Sequence, residues 1–432
     1  MGAVTASARD TASPAVGTGR ASWALCLLFL SNAFNMGDRT LLGVVTEPIR
    51  RELGLSDTQI SLTNGFMFVL FNLVAGIFIA RLVDRGNRVR ILALGIACWS
   101  LATAATGAAQ GFASLSLARI GVGIGEATGF PAALSLIPDL FRPQVRGRAV
   151  ATFQSSTFVG VVGGTILAGV LAAILGWRSM FAICGIAGVV LAAALFATVR
   201  EPARIGEAPE QDTSLPYWSD LGRGCRRVFG GRGFPALAIG FGTSSMIGSV
   251  LAAWGPAFLQ RSHGVPLAEV GVVIGPAVGI GGITGTLMSG VMADRALRRR
   301  GEPSDMLVVA LCTVPLASPF VAGFVFAPSV ALTMLSAAAM NFLLGCAVAP
   351  CLNYALTCAN PQDRGLTSSN MLGATGLIGG GLGPFLVGAI SDVLAPRLGT
   401  ESLRYGLTVM IAAPLISALF IALAWRAARQ PR

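Results

Sequence analysis

The sequence contains no lysine and only one histidine, His263. A phosphate-binding P-loop needs a lysine that reaches the β- and γ-phosphates of a nucleotide, so the chain cannot drive work through that motif. A serine–histidine hydrolase would have to use His263, which we expect in a short loop, and no G-x-S-x-G motif occurs. We therefore expect no enzymatic activity, and an energy source in a gradient or in the substrate itself.

Charged residues are also scarce. They make up 12% of the chain, whereas a typical soluble protein has about 25%. The eight cysteines include no C-x-x-C pair, and seven of them fall within apolar runs. Without that pair or further histidines, we expect neither a zinc site nor a disulfide framework, and no cofactor beyond protons as a coupling ion.

What the sequence has in abundance is apolar segments of the roughly 20 residues that a helix needs to cross a bilayer. This pattern predicts an all-α membrane protein with twelve transmembrane helices in two six-helix bundles. The predicted spans lie near residues 22–45, 57–82, 89–110, 113–139, 148–174, 178–199, 233–259, 268–293, 305–327, 329–358, 366–394 and 403–426.

Two sets of matched landmarks indicate an internal duplication. One pair is Asp84-Arg85 and Asp294-Arg295, and 294 minus 84 is 210. The other is Pro-Gln-Val-Arg-Gly at 143–147 against Pro-Gln-Asp-Arg-Gly at 361–365. Self-similarity over half the chain, inside apolar sequence, is typical of transporters made of two related membrane halves with the substrate site between them.

Most arginines lie in the tails and in the loops that follow even-numbered spans. Cytoplasmic loops collect positive charge, so we expect a plasma-membrane protein with both termini in the cytoplasm. The net charge of +11 then faces anionic lipid headgroups, and we expect no nucleic-acid partner and a monomer. The predicted organisation is a disordered tail at 1–21, bundles at 22–199 and 233–426, a cytoplasmic loop at 200–232, and a tail at 427–432.

Four charged residues fall within predicted spans, where charge is costly and usually paired or functional. They are Asp38 and Arg39 in the first span and Arg119 and Glu126 in the fourth. Arg119 and Glu126 are nearly two helical turns apart and share a face, whereas adjacent residues diverge by about 100°. Asp38 and Arg39 therefore cannot both face the central cavity, and one should point toward a neighbouring helix.

The functional interpretation is that Asp38 and Glu126 carry protons while Arg39 and Arg119 bind an anionic headgroup. An anion that approaches or leaves the arginines then changes the proton affinity of the carboxylates. The alternative is a static quartet of ion pairs that fastens the first helix to the fourth. We favour the functional interpretation because apolar packing would join the helices without the desolvation penalty.

The duplicated loops predict a cytoplasmic gate. A carboxylate at the end of one helix is attracted to the positive N-terminal end of another, such as the eleventh span near Gly365. We hypothesise a latch that breaks when the halves rock, and the alternative is that these charges only set topology. The gate residues are Asp84, Arg85, Arg88, Arg146, Arg148, Asp294 and Arg295.

These motifs resemble the major facilitator superfamily and, within it, the Spinster family of lysolipid and sphingolipid-phosphate transporters, over residues 22–426. The resemblance rests on the motifs Gly37-Asp38-Arg39, Asp84-Arg85-Gly86-Asn87-Arg88, Arg119-x-x-x-Gly123-x-Gly125 with Glu126-Ala127, and Ser391-Asp392. It implies an amphiphilic anion such as a lysophospholipid as substrate. We expect its cavity to be lined by Asn35, Phe66, Phe158, Trp254 and Asn341.

Three other functions remain open at this stage. A proton symporter of small organic anions such as sugar acids would need a polar, water-filled cavity. A drug exporter is disfavoured because the fifth span has Gly160, Gly163 and Gly164 without the proline of the antiporter motif. A membrane sensor would bind lipid saturably without turnover.

Overall fold

A computed structural model describes residues 18–204, 217–360 and 363–430, and these ranges are mostly helical and contain no strand. The predicted tail lies outside them except for residues 18–21, which begin the first helix. Most of the predicted central loop is described: residues 200–204 have no helix, and the short helix Tyr217–Phe229 precedes the second half.

The first half consists of eight α-helices and one π-helical segment. The π-helix Leu62–Met67 joins α3 to α4. The helices are α1 (Thr18–Val44), α2 (Thr46–Leu53), α3 (Asp57–Ser61), α4 (Phe68–Arg85), α5 (Arg88–Gly107), α6 (Phe112–Glu126), α7 (Gly129–Leu140) and α8 (Pro143–Thr198).

The linker helix α9 (Tyr217–Phe229) precedes the second half. That half has its own π-helix, Thr375–Leu382, and its described residues include the short 3₁₀ turns Pro303–Asp305 and Gly399–Glu401. Its helices are α10 (Phe234–His263), α11 (Leu267–Arg300), α12 (Met306–Thr313), α13 (Ala317–Phe326), α14 (Val330–Gly345), α15 (Val348–Cys358), α16 (Arg364–Ala374), α17 (Gly383–Leu398), α18 (Ser402–Leu407) and α19 (Val409–Arg429).

The described ranges contain nine helical stretches long and apolar enough to span a membrane. Two of them, Gln144–Thr198 and Arg364–Arg429, have 55 and 66 residues and are long enough for two passes each. The first is divided at Gly176, whose φ of +80° belongs to the left-handed region that favours glycine. The second is divided at Gly399–Glu401. Counting each of these two long stretches as two spans gives eleven, and adding α1 gives twelve.

Three of the described spans are broken near their middle. One break separates α12 from α13 at residues 314–316, and the other two lie at equivalent places in the two halves. The turn after Glu126 separates α6 from α7, and the turn after Gly345 separates α14 from α15. Discontinuous helices within a bilayer are tolerated where the freed backbone is enclosed by protein or lines a cavity. In transporters such breaks commonly mark the binding region.

The two halves meet at the membrane face that carries α2, which we name the distal face; the opposite face, which carries α9, is the proximal face. Along the α8–α11 seam, a β-carbon added to Gly271 would stand 2.3 Å from the Thr165 carbonyl oxygen, and one added to Gly279 would stand 2.9 Å from Val162. At Gly290, farther toward the proximal face, a β-carbon would meet no atom within 4 Å. The seam is therefore tight at the distal side and open at the proximal side.

Candidate functional site

The four predicted intramembrane charges lie together between α1 and α6, paired crosswise. Arg39 Nε donates a hydrogen bond of 2.8 Å to Glu126 Oε2. Arg119 Nη1 lies 3.9 Å from Asp38 Oδ2, within ion-pair distance but beyond hydrogen-bond length. Each helix thus supplies one cation and one carboxylate, and the formal charges of the cluster sum to zero.

The side chains of the adjacent residues Asp38 and Arg39 in α1 point in different directions, as helical geometry requires. Asp38 is buried and accepts a hydrogen bond of 2.8 Å from the Thr103 hydroxyl of α5. The Arg39 side chain is 40% exposed. Arg39 is therefore the member of the cluster that an incoming anion can reach without rearrangement of the helices.

Several polar atoms of the cluster make no hydrogen bond to any described residue. They include all three guanidinium nitrogens of Arg119, together with Asp38 Oδ1 and Glu126 Oε1. The Arg119 side chain has no exposed surface. Buried polar groups in proteins are nearly always hydrogen-bonded, and exceptions call for an explanation. The three donor nitrogens of Arg119 can bind an anion, and the two acceptor oxygens of Asp38 and Glu126 can bind a proton.

Phe68 of α4 holds the two arginines in place. The guanidinium carbons of Arg39 and Arg119 lie 5.3 and 5.2 Å from the centroid of its ring. Within about 6 Å, a cation is attracted to the face of an aromatic ring. The ring stabilises both positive charges without neutralising them, so their charge remains available to a ligand.

The glycines of α6 bring this ring close to the cluster. A β-carbon on Gly123 would stand 2.8 Å from the Phe68 carbonyl oxygen, and one on Gly125 would stand 2.6 Å from the Trp99 backbone nitrogen. Asn72 of α4 donates to the Gly123 carbonyl oxygen over 2.9 Å. Small residues at these positions therefore allow α4, α5 and α6 to approach closely.

The residues expected to line the cavity differ in exposure. Phe66 is 42% exposed, and Phe158 and Asn341 are half-buried. Asn35 and Trp254 are buried, and Trp254 donates its indole N–H to the Pro384 carbonyl oxygen over 3.1 Å. Trp254 therefore belongs to the packing of the second half in this conformation and offers no surface to a substrate, contrary to the lining role expected of it.

At the proximal face, Arg88 has a different environment from the one expected of a gate residue. Its guanidinium is buried and donates to Asp139, to Glu201 over 2.6 Å and to the Pro202 carbonyl oxygen over 3.0 Å. All of these partners precede the linker helix. Arg88 thus fastens helix ends within the first half rather than joining the two halves.

The other predicted gate residues form no inter-half ion pair in the part of the chain that is described. Asp294, Arg295, Arg85 and Arg148 are exposed, and Arg146 donates to the nearby Pro138 carbonyl oxygen. The Asp84 side chain lies outside the described residues. The gate side chains that are described therefore make no latch contact between the halves, in keeping with the open proximal seam, and formation of the latch in another state stays a prediction.

The sequence interpretation missed a second charged cluster, at the distal face and between the halves. Arg261 of α10 donates to both carboxylate oxygens of Asp57 over 2.8 Å and to Glu47 Oε2 over 2.6 Å. Asp392 of α17 accepts the backbone N–H groups of Asp57 and Thr58 over 2.9 and 2.8 Å. We name Glu47, Asp57, Arg261 and Asp392 the distal network. It joins the second half to the α2–α3 segment of the first.

The chain has extensive similarity to known membrane proteins. The profile of the Major Facilitator Superfamily matches residues 28–323. An MFS-type efflux pump of Mycolicibacterium smegmatis is 34% identical over 399 residues, covering 91% of this chain and 90% of the pump. Human protein spinster homolog 1 is 30% identical over 410 residues, covering 87% and 74%. A probable L-galactonate transporter of Escherichia coli is 30% identical over 281 residues, covering 63% and 61%.

Among solved structures, the chain is similar to a bacterial homolog of the human lysosomal transporter Spinster in an inward-facing and unoccupied conformation. The TM-score is 0.81 at 27% sequence identity, and the match covers 95% of this chain and 98% of the homolog. That similarity extends over both halves.

Proposed function

Because the chain belongs to the major facilitator superfamily and is a membrane transporter of the Spinster type, we propose that it carries an amphiphilic anion by proton-linked alternating access. The observation that carries the proposal is the Arg119 guanidinium, fully enclosed beside two carboxylates and without a hydrogen-bond partner among the described residues. An anionic headgroup is the ligand whose oxygens would satisfy such a group.

Coupling follows from competition for the arginines. Arg39 binds Glu126 in this conformation. A substrate anion that takes Arg39 or Arg119 leaves a buried carboxylate without its cation, and a buried charge without a partner is strongly disfavoured. The carboxylate then binds a proton, and the proton and the anion cross together. Their release on the other side restores the crossed ion pairs.

The surroundings favour a substrate with an apolar part. Phe68 lies against both arginines, and Phe66, two residues earlier in the chain, has substantial exposed surface. Aromatic surface beside a cationic centre suits a molecule with a single charged head and a hydrocarbon tail. A lysophospholipid has this chemistry.

A small organic anion is the second candidate, favoured by the similarity to the probable L-galactonate transporter. The same four charges would bind a sugar acid by its carboxylate, and the same competition would couple it to protons. Export of a hydrophobic compound, favoured by the similarity to the efflux pump, would instead make little use of Arg119.

The test is proton flux into proteoliposomes under an imposed pH gradient, with lysophosphatidylglycerol, galactonate or a cationic dye added in turn. We expect flux that requires the lysolipid and is lost in Glu126→Gln, whereas Glu269→Gln, at an exposed carboxylate, keeps it. Flux with galactonate alone would transfer the mechanism to the second candidate. Saturable lysolipid binding without any flux would contradict transport and indicate a sensor.

A further inference from the structure

The distal network closes one face of the protein with charges that are almost fully enclosed. The side chains of Arg261, Glu47 and Asp57 are each about 4–5% exposed. Breaking a buried ion pair by removing one partner is strongly destabilising because the other charge is left uncompensated. Transport by alternating access, on which this inference rests, requires the same network to open in every cycle.

The arrangement of charges supplies a second set of partners for the open state. Asp57 has another cation in its own half, because Arg50 Nε lies 3.8 Å from Asp57 Oδ1 while Arg50 hydrogen-bonds to Glu47. Arg51 also binds Glu47, over 2.7 Å. When Arg261 withdraws, Arg51 can keep Glu47 while Arg50 turns to Asp57.

The second half contains the complementary pair. Arg261 holds the Asp57 carboxylate, and Asp392 holds the Asp57 backbone N–H. Both therefore stand next to one residue of the first half, and both lose it when the halves part at this face. Arg261 and Asp392 are then the cation and the carboxylate released side by side on the same half.

We propose that the distal network opens by exchange of partners, from inter-half pairs to the intra-half pairs Arg50–Asp57 and Arg261–Asp392. Each charge then has a partner in both states, which is a counterion or, for Asp392 in the closed state, the two backbone N–H groups of Asp57 and Thr58, so neither state carries an isolated charge. The distal network thereby fixes how the two halves meet at the distal face, and the halves can still separate there.

The exchange gives the two arginines opposite roles. Arg261 belongs to the closed state, where it binds two carboxylates across the seam. Arg50 becomes the only cation for Asp57 in the open state, whereas in the closed state it duplicates contacts that Glu47 also receives from Arg51 and Arg261. Removal of Arg261 should favour opening, and removal of Arg50 should favour closure. If hydration alone compensated the separated charges, both removals would weaken the closed state.

The test uses hydrogen–deuterium exchange of the segment 55–61 in the full-length protein, because the amides of Asp57 and Thr58 are donors to Asp392 only when the seam is closed. We expect exchange several-fold faster than wild type in Arg261→Gln and several-fold slower in Arg50→Gln. Arg397→Gln, at an exposed arginine of α17, serves as the control and should leave the rate unchanged.

Faster or unchanged exchange in Arg50→Gln would overturn the partner exchange. This variant alters a half-exposed side chain, so its result stands even if Arg261→Gln fails to fold. Proton-linked flux is measured separately on the same preparations. Normal flux together with faster hydrogen exchange in Arg50→Gln would refute the exchange of ion-pair partners and leave the proposed function in place. Absent wild-type flux would instead refute the proposed function.

Discussion

Gly43 of α1 lies against Ala252 of α10 so closely that a β-carbon on Gly43 would stand 2.2 Å from the Ala252 carbonyl oxygen. The contact joins the two halves near the distal face. No side chain larger than hydrogen fits there while the halves are in this arrangement. Closure at this face thus depends on the absence of one methyl group as well as on the charges of the distal network.

The first prediction is that Gly43→Ala favours separation of the halves at the distal face. Overpacking of this kind costs about 1–3 kcal/mol, which corresponds to a shift in the conformational equilibrium of roughly 5- to 150-fold. Hydrogen exchange of segment 55–61 measures it. The control is Gly282→Ala in α11, where a β-carbon would meet no atom within 4 Å; equal rates in the two variants would refute the steric argument.

The second prediction concerns pH and Glu47. Burial alone would raise the pKa of the Glu47 carboxyl, but the hydrogen bond from Arg50 and the charge of Arg261 outweigh it and lower the pKa to about 2. A carboxyl with a lowered pKa stabilises the closed state fully above its ordinary pKa of 4.5, and that contribution is lost as the pH falls toward 2.

The difference in distal exchange between wild type and Glu47→Gln should therefore stay constant from about pH 8 to pH 5. It should shrink only below about pH 4.5. The measurement is the exchange of segment 55–61 over a pH series, corrected for the intrinsic chemical rate. A midpoint near pH 6 would show that Glu47 titrates in the closed state and would contradict the strong pairing with arginine.

The third prediction is that Arg88→Gln destabilises the first half by about 3–5 kcal/mol, the usual effect of leaving a buried charge without its partner. Asp139 and Glu201 would both lose their contact with this guanidinium. Thermal unfolding in detergent measures the change. Arg90→Gln, two residues farther along α5 at an exposed position, should stay within about 0.5 kcal/mol of wild type.

The fourth prediction tests the proximal latch. Asp294 is exposed and forms no ion pair with any described residue in this conformation, so Asp294→Asn should leave thermal stability unchanged within about 0.5 kcal/mol. Transport should nevertheless fall several-fold, because the variant lacks a contact needed when the proximal side closes. Transport at the wild-type rate in Asp294→Asn and in Asp84→Asn would reduce these residues to topology signals.

The architecture was predictable because a bilayer permits few solutions. Without water to bind the backbone, a chain with long apolar runs can cross only as helices or as a closed barrel, and runs of about 20 residues match helices. The places where α6 and α14 end inside the membrane were not predictable. No proline stands in either turn, although Pro131 and Pro350 lie in the first turn of the helices that follow. Proline is also tolerated inside unbroken transmembrane helices, so these prolines do not by themselves mark a break.

The sequence indicated that the four intramembrane charges could form ion pairs between the first and fourth spans, but it did not predict which carboxylate each arginine contacts. With two cations and two carboxylates in the spans of the first half, each had few partners to choose from. The distal network escaped prediction for the opposite reason. The distal network, which is Glu47, Asp57, Arg261 and Asp392, lies near helix ends, where charge is normally solvated. No sequence pattern distinguishes a solvated charge from one that pairs with a residue 204 positions away, as Asp57 does with Arg261.

The lining residues show the limit of reasoning from residue type. Trp254 and Phe66 both stand in apolar helices, yet one is enclosed and the other is 42% exposed. In a helix that is apolar all round, no periodicity distinguishes the face that packs on a neighbour from the face that borders a cavity. Only the arrangement of the helices decides it.

The turn between α14 and α15 repeats the break after Glu126, but the flanking sequence of α14 carries no charged residue. Duplication thus preserved the break in both halves, while the charged residues of α6 beside the first break have no counterpart in α14. In the proposed mechanism the proton coupling therefore resides in the first half. Replacing the second half with that of a relative should change which molecules are accepted and leave the energetics of the cycle with the first, so new specificities can evolve without rebuilding the coupling.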